Sequence, residues 1–298
     1  MMQMSETLLI YDPLDMASRI IRATIVEFGI ACRSVSVRTT LSNDHLGIWF
    51  ARLNPAMSVP VLIKDGSVYS DLAAIENTLA GEVGSAFVQA QPALWLTDLN
   101  QFLEQELADA FAFPIARRIL QQVLRHRIAV LARLAEKYQT FQPIYLCKRE
   151  ETHKRLKALT NRRQAEDRLR QVDALFSKFE EYIGAKPFLL GAQWSVADAI
   201  WTAAIARLRT MGLRDLVNGE RHPNSTDYFA RMRRRKSFDV LHMNTGRRAV
   251  HRSRQFISAA FSPGDRAPAL VPAIFGTSLP KPAPHATSTL RNSSGSIL

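Results

Sequence analysis

Val59 and Pro60 stand at the mouth of an apolar run, VPVLI, which Asp65-Gly66 interrupts before SVYSDLAAI resumes it. Proline sits at the first residue of a strand or in a tight turn, and a cis X-Pro bond there is a built feature. Such a bond would turn the Val59 N–H and C=O outward, where an extended peptide could dock. A trans proline opening an edge strand is the other reading of the same pair. Ser195-x-x-Asp198 has capping-box spacing. Ser195 is expected to accept from the Asp198 backbone N–H while the carboxylate reaches back, which makes Asp198 a structural residue before a catalytic one. The 7 histidines, His126, His153, His222 and His242 among them, show no paired metal-ligand spacing, and there is no P-loop or GxGxxG. Cys32 and Cys147 read as inert packing residues, one on an interior strand and one in a helical stretch, in a reducing, intracellular setting.

The elements that must position these residues follow from periodicity. Thr7 to Tyr11 reads as a buried strand, and Ala17, Ile20, Ile21, Thr24, Ile25 and Phe28 keep helical spacing up to Gly29. Arg33 to Arg38 alternates like a strand. Val61 to Lys64 and Ser67 to Ser70 flank Asp65-Gly66 as a two-residue hairpin, and Asp71 to Leu79 reads as a helix. The order is β-α-β, loop, β-β-α. Much later, the helix opening at Val196 is apolar nearly all round and should be a central core helix.

A chain of 298 residues implies two packed domains. Its opening, MMQMSET, has no cleavable signal pattern, and the apolar stretches Val130 to Leu134 and Ala267 to Leu279 are short or broken by proline. A membrane span needs about 20 apolar residues, so the expectation is a soluble, cytoplasmic chain. The net charge of +12 is uneven: residues 1–112 hold 6 Lys/Arg against 13 Asp/Glu, leaving 33 against 14 of the total 39 and 27 for the rest. The basic residues run along helical stretches without interleaved aromatics, which points to solvated helix faces and away from nucleic acid.

RLNPAMSVPVLIKDGSVYSDLAAI resembles the N-P-x-x-x-V-P-V-L segment and acidic helix start of the glutathione transferase superfamily, and KPFLLGAQWSVADAIWTAAIARLRTMG resembles its F-L-x-G-x-x-x-S-x-A-D signature. ERHPNSTDYFARMRRRKSF and a long helical stretch from about Leu96 to Ile183 resemble two branches. These are the tetrachlorohydroquinone dehalogenase and β-etherase group and the ganglioside-induced differentiation-associated protein group. The resemblance implies an α/β thioredoxin-like N-terminal domain over 1–84 with a cis-proline before strand three. An all-α C-terminal domain with a long helical insert is then expected over 94–245. A basic, Pro/Ser/Thr-rich tail over 246–298 is expected to be largely disordered.

The same resemblance implies glutathione as cosubstrate, no metal, and a thiol activated by a Tyr, Ser or Cys near the first helix with help from its N-terminal end. Aligned on Arg22 and Phe28-Gly29, the cysteine of the dehalogenase-like branch falls on Ala17, and the usual serine falls near Asp15 or Met16. Ser18 is then the hydroxyl in reach, or else a first-turn serine that helps Asp15 cap the helix. Tyr11 is the other candidate, or else a packing tyrosine. Asp15 at the helix start opposes a second negative charge, so thiolate activation requires compensation from a basic residue such as Arg19. For glutathione binding, the resemblance implies Val59 and Pro60 for the peptide, with Asp71 at the acidic position, Leu72 where a serine is usual, and Ser70 beside them. Backbone N–H groups of Asp71 and Leu72 are available to a carboxylate.

Two functions follow. One is a glutathione-dependent transferase, etherase or reductive dehalogenase acting on a small apolar electrophile, in a homodimer by family habit. The other is a catalytically degenerate binding or scaffold protein. The basic run from Arg231 to Lys236, continued by Arg247, Arg248, Arg252 and Arg254, carries a further pair of readings: a patch for an anionic membrane surface, or a solvated helix end.

Overall fold

The computed structural model describes residues 7–39, 42–83, 114–159, 162–210, 213, 214, 217 and 219–241. The predicted tail over 246–298, with its six arginines, lies outside the described residues. Strand β1 (Thr7–Tyr11) leads into α1 (Met16–Phe28), which returns through β2 (Arg33–Ser36). A 3-10 turn (Asp44–Leu46) and α2 (Ile48–Leu53) precede the hairpin β3 (Val61–Lys64) and β4 (Ser67–Tyr69), and α3 (Leu72–Val83) follows. The sheet order is β2-β1-β3-β4, with β1 and β2 parallel and the other pairs antiparallel. Asp65 (φ 49°) and Gly66 (φ 76°) both take left-handed backbone, the conformation of a two-residue hairpin turn.

The helices after this sheet are α4 (Pro114–Lys137), α5 (Gln142–Ala158), α6 (Arg162–Ile183), α7 (Val196–Thr210), α8 (Pro223–Met232) and the short α9 (Phe238–Leu241). Alternation along the strands divides the core. Leu9 and Leu62 join α1, α3 and the helices α6 to α9, whereas Leu8, Ile10, Val61 and Ile63 pack on Trp49, Phe50 and Leu53 of α2. At the centre of the larger cluster Trp201 of α7 stacks on Phe179 with ring centroids 4.1 Å apart, and Phe176 meets it edge-on at 5.2 Å. The apolar helix expected from Val196 is therefore the buried spine of the molecule.

Several expectations need correction. The region between β2 and β3 carries the 3-10 turn and α2 where a plain loop was expected. Strand β2 stops at Ser36, although the Val37 N–H still bonds the Tyr11 carbonyl at 2.8 Å. Cys32 precedes an edge strand, half-buried, with burial pushing its thiol up to about 11. Cys147 is exposed on α5, not a buried packing residue. The box at Ser195 also differs: its hydroxyl donates to Asp198 Oδ2 at 2.7 Å, while its backbone carbonyl takes the Asp198 N–H at 3.0 Å.

Candidate functional site

The sheet register assembles the site. Ile10 pairs with Val61, so the end of β1 lies beside Pro60; Leu62 pairs with Tyr69, which brings Ser70 alongside. Residues remote in sequence, Tyr11 to Asp15, Ser58 to Pro60 and Ser70 to Leu72, thus meet at one end of the sheet, where α1 and α3 begin.

Asp12 organises the first of these stretches. Its Oδ1 accepts the Leu14 N–H at 2.8 Å, closing a turn on Pro13, and its Oδ2 accepts the Thr39 N–H at 2.8 Å and the Thr39 hydroxyl at 2.6 Å. The Asp12 N–H donates to Ser18 Oγ at 3.2 Å. Asp15, in extended backbone at the N-cap, accepts the Ser18 N–H at 2.7 Å. Ser18 is fully buried, while Ala17, one residue earlier, is partly exposed. Burial pushes the Asp15 carboxyl up, opposed by the Ser18 N–H it accepts. Tyr11 is half-buried, and the Arg22 guanidinium lies 4.1 Å over its ring.

Arg19 points inward from the same turn. It is 1% exposed, donates from Nη1 to the Leu241 carbonyl at 2.9 Å, and leaves Nε and Nη2 without a partner among the described residues. Burial, then the charge of Arg207, brings its guanidinium down to about 10, with Asp15 and Asp12 acting against the shift.

The second stretch is held by Asn54. Its Nδ2 donates to the Ser58 carbonyl at 2.8 Å and its Oδ1 accepts the Ala56 N–H at 3.1 Å, shaping the turn ahead of Pro60. The Val59–Pro60 bond is cis, as the proline-first strand suggested. In the third stretch Asp71 Oδ1 accepts the Ala74 N–H at 3.0 Å and caps α3, with Ser70 and Leu72 half-exposed on either side. One turn on, burial and then the Asp71 charge push the Glu76 carboxyl up to about 7.

Asp198 and Ser195 lie away from this sheet end, inside the helical domain. Asp198 accepts from the Ser195 and Leu189 backbone N–H groups at 2.8 and 2.9 Å, from the Ser195 hydroxyl, and from the Tyr228 hydroxyl at 2.9 Å. Burial raises both the Asp198 carboxyl and the Tyr228 phenol, the latter helped by the carboxylate itself.

A family model described as the glutathione S-transferase C-terminal domain matches residues 162–231, which run from α6 through α8. Among solved structures, β-etherase LigF from Sphingobium sp. strain SYK-6 superposes with a TM-score of 0.56 at 21% identity, covering 79% of this chain and 98% of that one. The chain has the glutathione S-transferase fold. A second structure, a glutathione transferase homologue from Drosophila mojavensis with bound glutathione, superposes with a TM-score of 0.52 at 14% identity over 86% of this chain and 97% of its own. In sequence, the chain is 25% identical to a tetrachloro-p-hydroquinone reductive dehalogenase of Sphingobium chlorophenolicum over 231 residues, 74% of this chain and 88% of that one. It is 27% identical to glutathione S-transferase TCHQD of Arabidopsis thaliana over 239 residues, 77% and 87% of the two chains.

Within this glutathione S-transferase fold, the sheet end gathers Tyr11, Ser18, Val59, Pro60, Ser70, Asp71 and Leu72, and leaves Ser195 and Asp198 apart. Asp12, Thr39 and Asn54 were not singled out from sequence. Asp12-Pro13 and Asn54-Pro55 are turn-forming pairs, so a signal for two of them was present. No group of three or more His, Cys, Asp or Glu residues is arranged to hold a metal ion among the described residues. No helix among them is long and apolar enough to cross a membrane. The basic run after α8 is partly spent on internal contacts: Arg235 pairs with Glu27 of α1 and lies 5.1 Å over Phe188, and Arg231 donates to the Lys186 carbonyl at 2.9 Å. Arg233, Arg234 and Lys236 stay exposed.

Proposed function

We propose that this protein is a glutathione-dependent transferase acting on an apolar electrophile, of the same broad chemistry as the etherase and reductive dehalogenase it resembles. The observation that carries the reading is the register: it sets Ser58 to Pro60 and the start of α3 beside the N-terminus of α1. Glutathione would lie along Val59 and Pro60 as an extended strand. Its γ-glutamyl end would meet Ser70, Asp71 and Leu72, where backbone N–H groups of α3 take a carboxylate. The sulfur would then lie at the first turn of α1, whose aligned peptide dipoles favour an anion. Attack by the thiolate forms a sulfur–carbon bond while the carbon's leaving group departs with its electron pair, as an alkoxide or a halide. In this reading the α1 backbone, and not a side-chain hydroxyl, does most of the thiolate stabilisation, because Ser18 is sealed against Asp12.

That same burial of Ser18, with Asp15 at the N-cap, supports the second reading, a glutathione transferase-fold binding or scaffold protein without turnover. Calorimetric titration of the full chain with glutathione and S-methylglutathione, followed by an ultraviolet pH titration of the bound thiol, separates the two. Binding with a lowered thiol pKa supports the transferase. Binding with the thiol unshifted supports the binding protein, and no binding of either peptide overturns the transferase and leaves the scaffold.

A further inference from the structure

The helical hairpin α4/α5 spends its apolar side on the first domain. Val130, Leu131, Leu134 and Tyr145 form a cluster with Leu46, Ala51 and Met57, separate from the cluster that α6 to α9 share. Its polar contacts then run to both halves of the candidate site, three of them ending on backbone carbonyls and one on the Asn43 amide.

One arm starts at Arg127 of α4, which is buried. Its Nε donates to Asn43 Oδ1 at 2.8 Å and its Nη2 to the Thr39 carbonyl. Thr39 donates both its N–H and its hydroxyl to Asp12, and the Asp12 N–H reaches Ser18 in the first turn of α1. Arg127 is thereby tied to the place where the sulfur would lie. The other arm starts on α5. The Tyr145 hydroxyl, fully buried, donates to the Leu46 carbonyl at 3.1 Å, and Lys148 Nζ donates to the Ala56 carbonyl at 3.0 Å. Ala56 and Ser58 are the residues that Asn54 folds into the turn before Pro60. Met57, at φ 49° in the middle of that turn, is itself 1% exposed in the hairpin's cluster.

We propose that the α4/α5 hairpin is a clamp that positions the glutathione-binding turn, with Lys148, Tyr145 and Arg127 as positioning residues that do not touch the ligand. A turn of irregular backbone costs conformational entropy to order, and ordering it before the ligand arrives removes that cost from binding. Met57 packs into the hairpin's cluster while Val59, two residues on, packs against the sheet's, so the turn is held by two rigid elements. The inference rests on residues 58–72 being the glutathione site, and half of its test does not depend on that.

The test uses the full chain, its Lys148→Met and Tyr145→Phe/Lys148→Met variants, and Lys148→Arg as the conservative control that can still donate to Ala56. Hydrogen exchange is read by mass spectrometry over residues 54–62 and over α7, and glutathione affinity by calorimetry. The double variant is expected to exchange about tenfold faster at 54–62 with α7 unchanged, and to bind glutathione about tenfold more weakly, the worth of one or two hydrogen bonds. Lys148→Met, a change at a partly exposed lysine that leaves the core intact, should show a smaller effect in the same direction, and Lys148→Arg should restore both. Unchanged exchange at 54–62 overturns the clamp whether or not glutathione binds. Faster exchange with unchanged affinity overturns the positioning role. A wild-type chain that binds no glutathione, yet shows the exchange effect, overturns the site reading and leaves the hairpin holding a turn with no role in glutathione binding.

Discussion

Replacing Asp198 with alanine removes one acceptor shared by four donors: two backbone N–H groups, the Ser195 hydroxyl and the buried Tyr228 hydroxyl. The loss of the helix cap alone would cost about 0.5–2 kcal/mol. The structure raises that figure, because the Leu189 and Ser195 N–H groups would stay buried with nothing to bond, at about 1–3 kcal/mol for each before relaxation, and the Tyr228 hydroxyl would keep only its long 3.4 Å bond to the carbonyl of residue 198. Allowing for relaxation and water entry, a loss of about 3–5 kcal/mol is expected, the range seen when one partner of a buried charged network is removed. Ser195→Ala takes away a single donor and leaves the backbone bonds in place, so it should cost about 1–2 kcal/mol. Urea unfolding at constant m measures both values. If Asp198→Ala costs less than Ser195→Ala, or loses turnover while keeping full stability, the assignment of Asp198 as a structural carboxylate is wrong.

Arg19→Met should leave the unfolding free energy unchanged or raise it, since a buried guanidinium with two unpaired nitrogens gives way to an apolar side chain of similar length; a loss above about 2 kcal/mol by urea unfolding would contradict this. Glu76→Gln tests a pH dependence whose sign is set by a carboxyl raised from 4.5 to about 7. Below about 4.5 the protonated form is present in both states, and between about 4.5 and 7 the unfolded chain ionises first, so stability falls with rising pH and then levels off. The thermal midpoint of Glu76→Gln should match wild type at the acid end and exceed it increasingly through that window, and a constant gap across it refutes the role. Vesicle flotation addresses the basic run after α8: with Arg231 and Arg235 turned to internal partners, the full chain and a truncation after Asn244 should both fail to float with anionic vesicles at low salt, and flotation of the full chain alone would assign membrane binding to the tail.

The hairpin β3–β4 was legible because Asp65-Gly66 separates two apolar runs at two-residue spacing, and α7 because its apolar residues leave no polar face. The 3-10 turn and α2 were not, since GIWFARL is too short for a helical period to register beside the apolar run it opens. At the site, the residues named from sequence lie together at one sheet end, but their burial and partners could not be read from their types. Ser18 lies three residues after Asp15, a spacing that fits a cap and a free hydroxyl equally well, and only the packed structure shows its oxygen facing the Asp12 N–H. The contacts of α5 with the first domain were out of reach for a different reason: Tyr145 and Leu46 are 99 residues apart and Lys148 and Ala56 are 92, and neither side chain carries a local signal of its partner. The reversed sense of the Ser195 hydroxyl likewise depends on Tyr228 and Leu189 having already filled the other oxygen of Asp198.

The ultraviolet titration of protein-bound glutathione is the decisive measurement, because it reads binding and sulfur ionisation in one curve. The expected result is a thiolate signal that saturates with glutathione, a thiol pKa lowered by about one unit or less from the ordinary thiol value near 8.5, as a helix terminus alone supplies, and an unchanged curve in Ser18→Ala apart from stability. A thiol pKa lowered by several units and restored to the ordinary value by Ser18→Ala or Tyr11→Phe would contradict it.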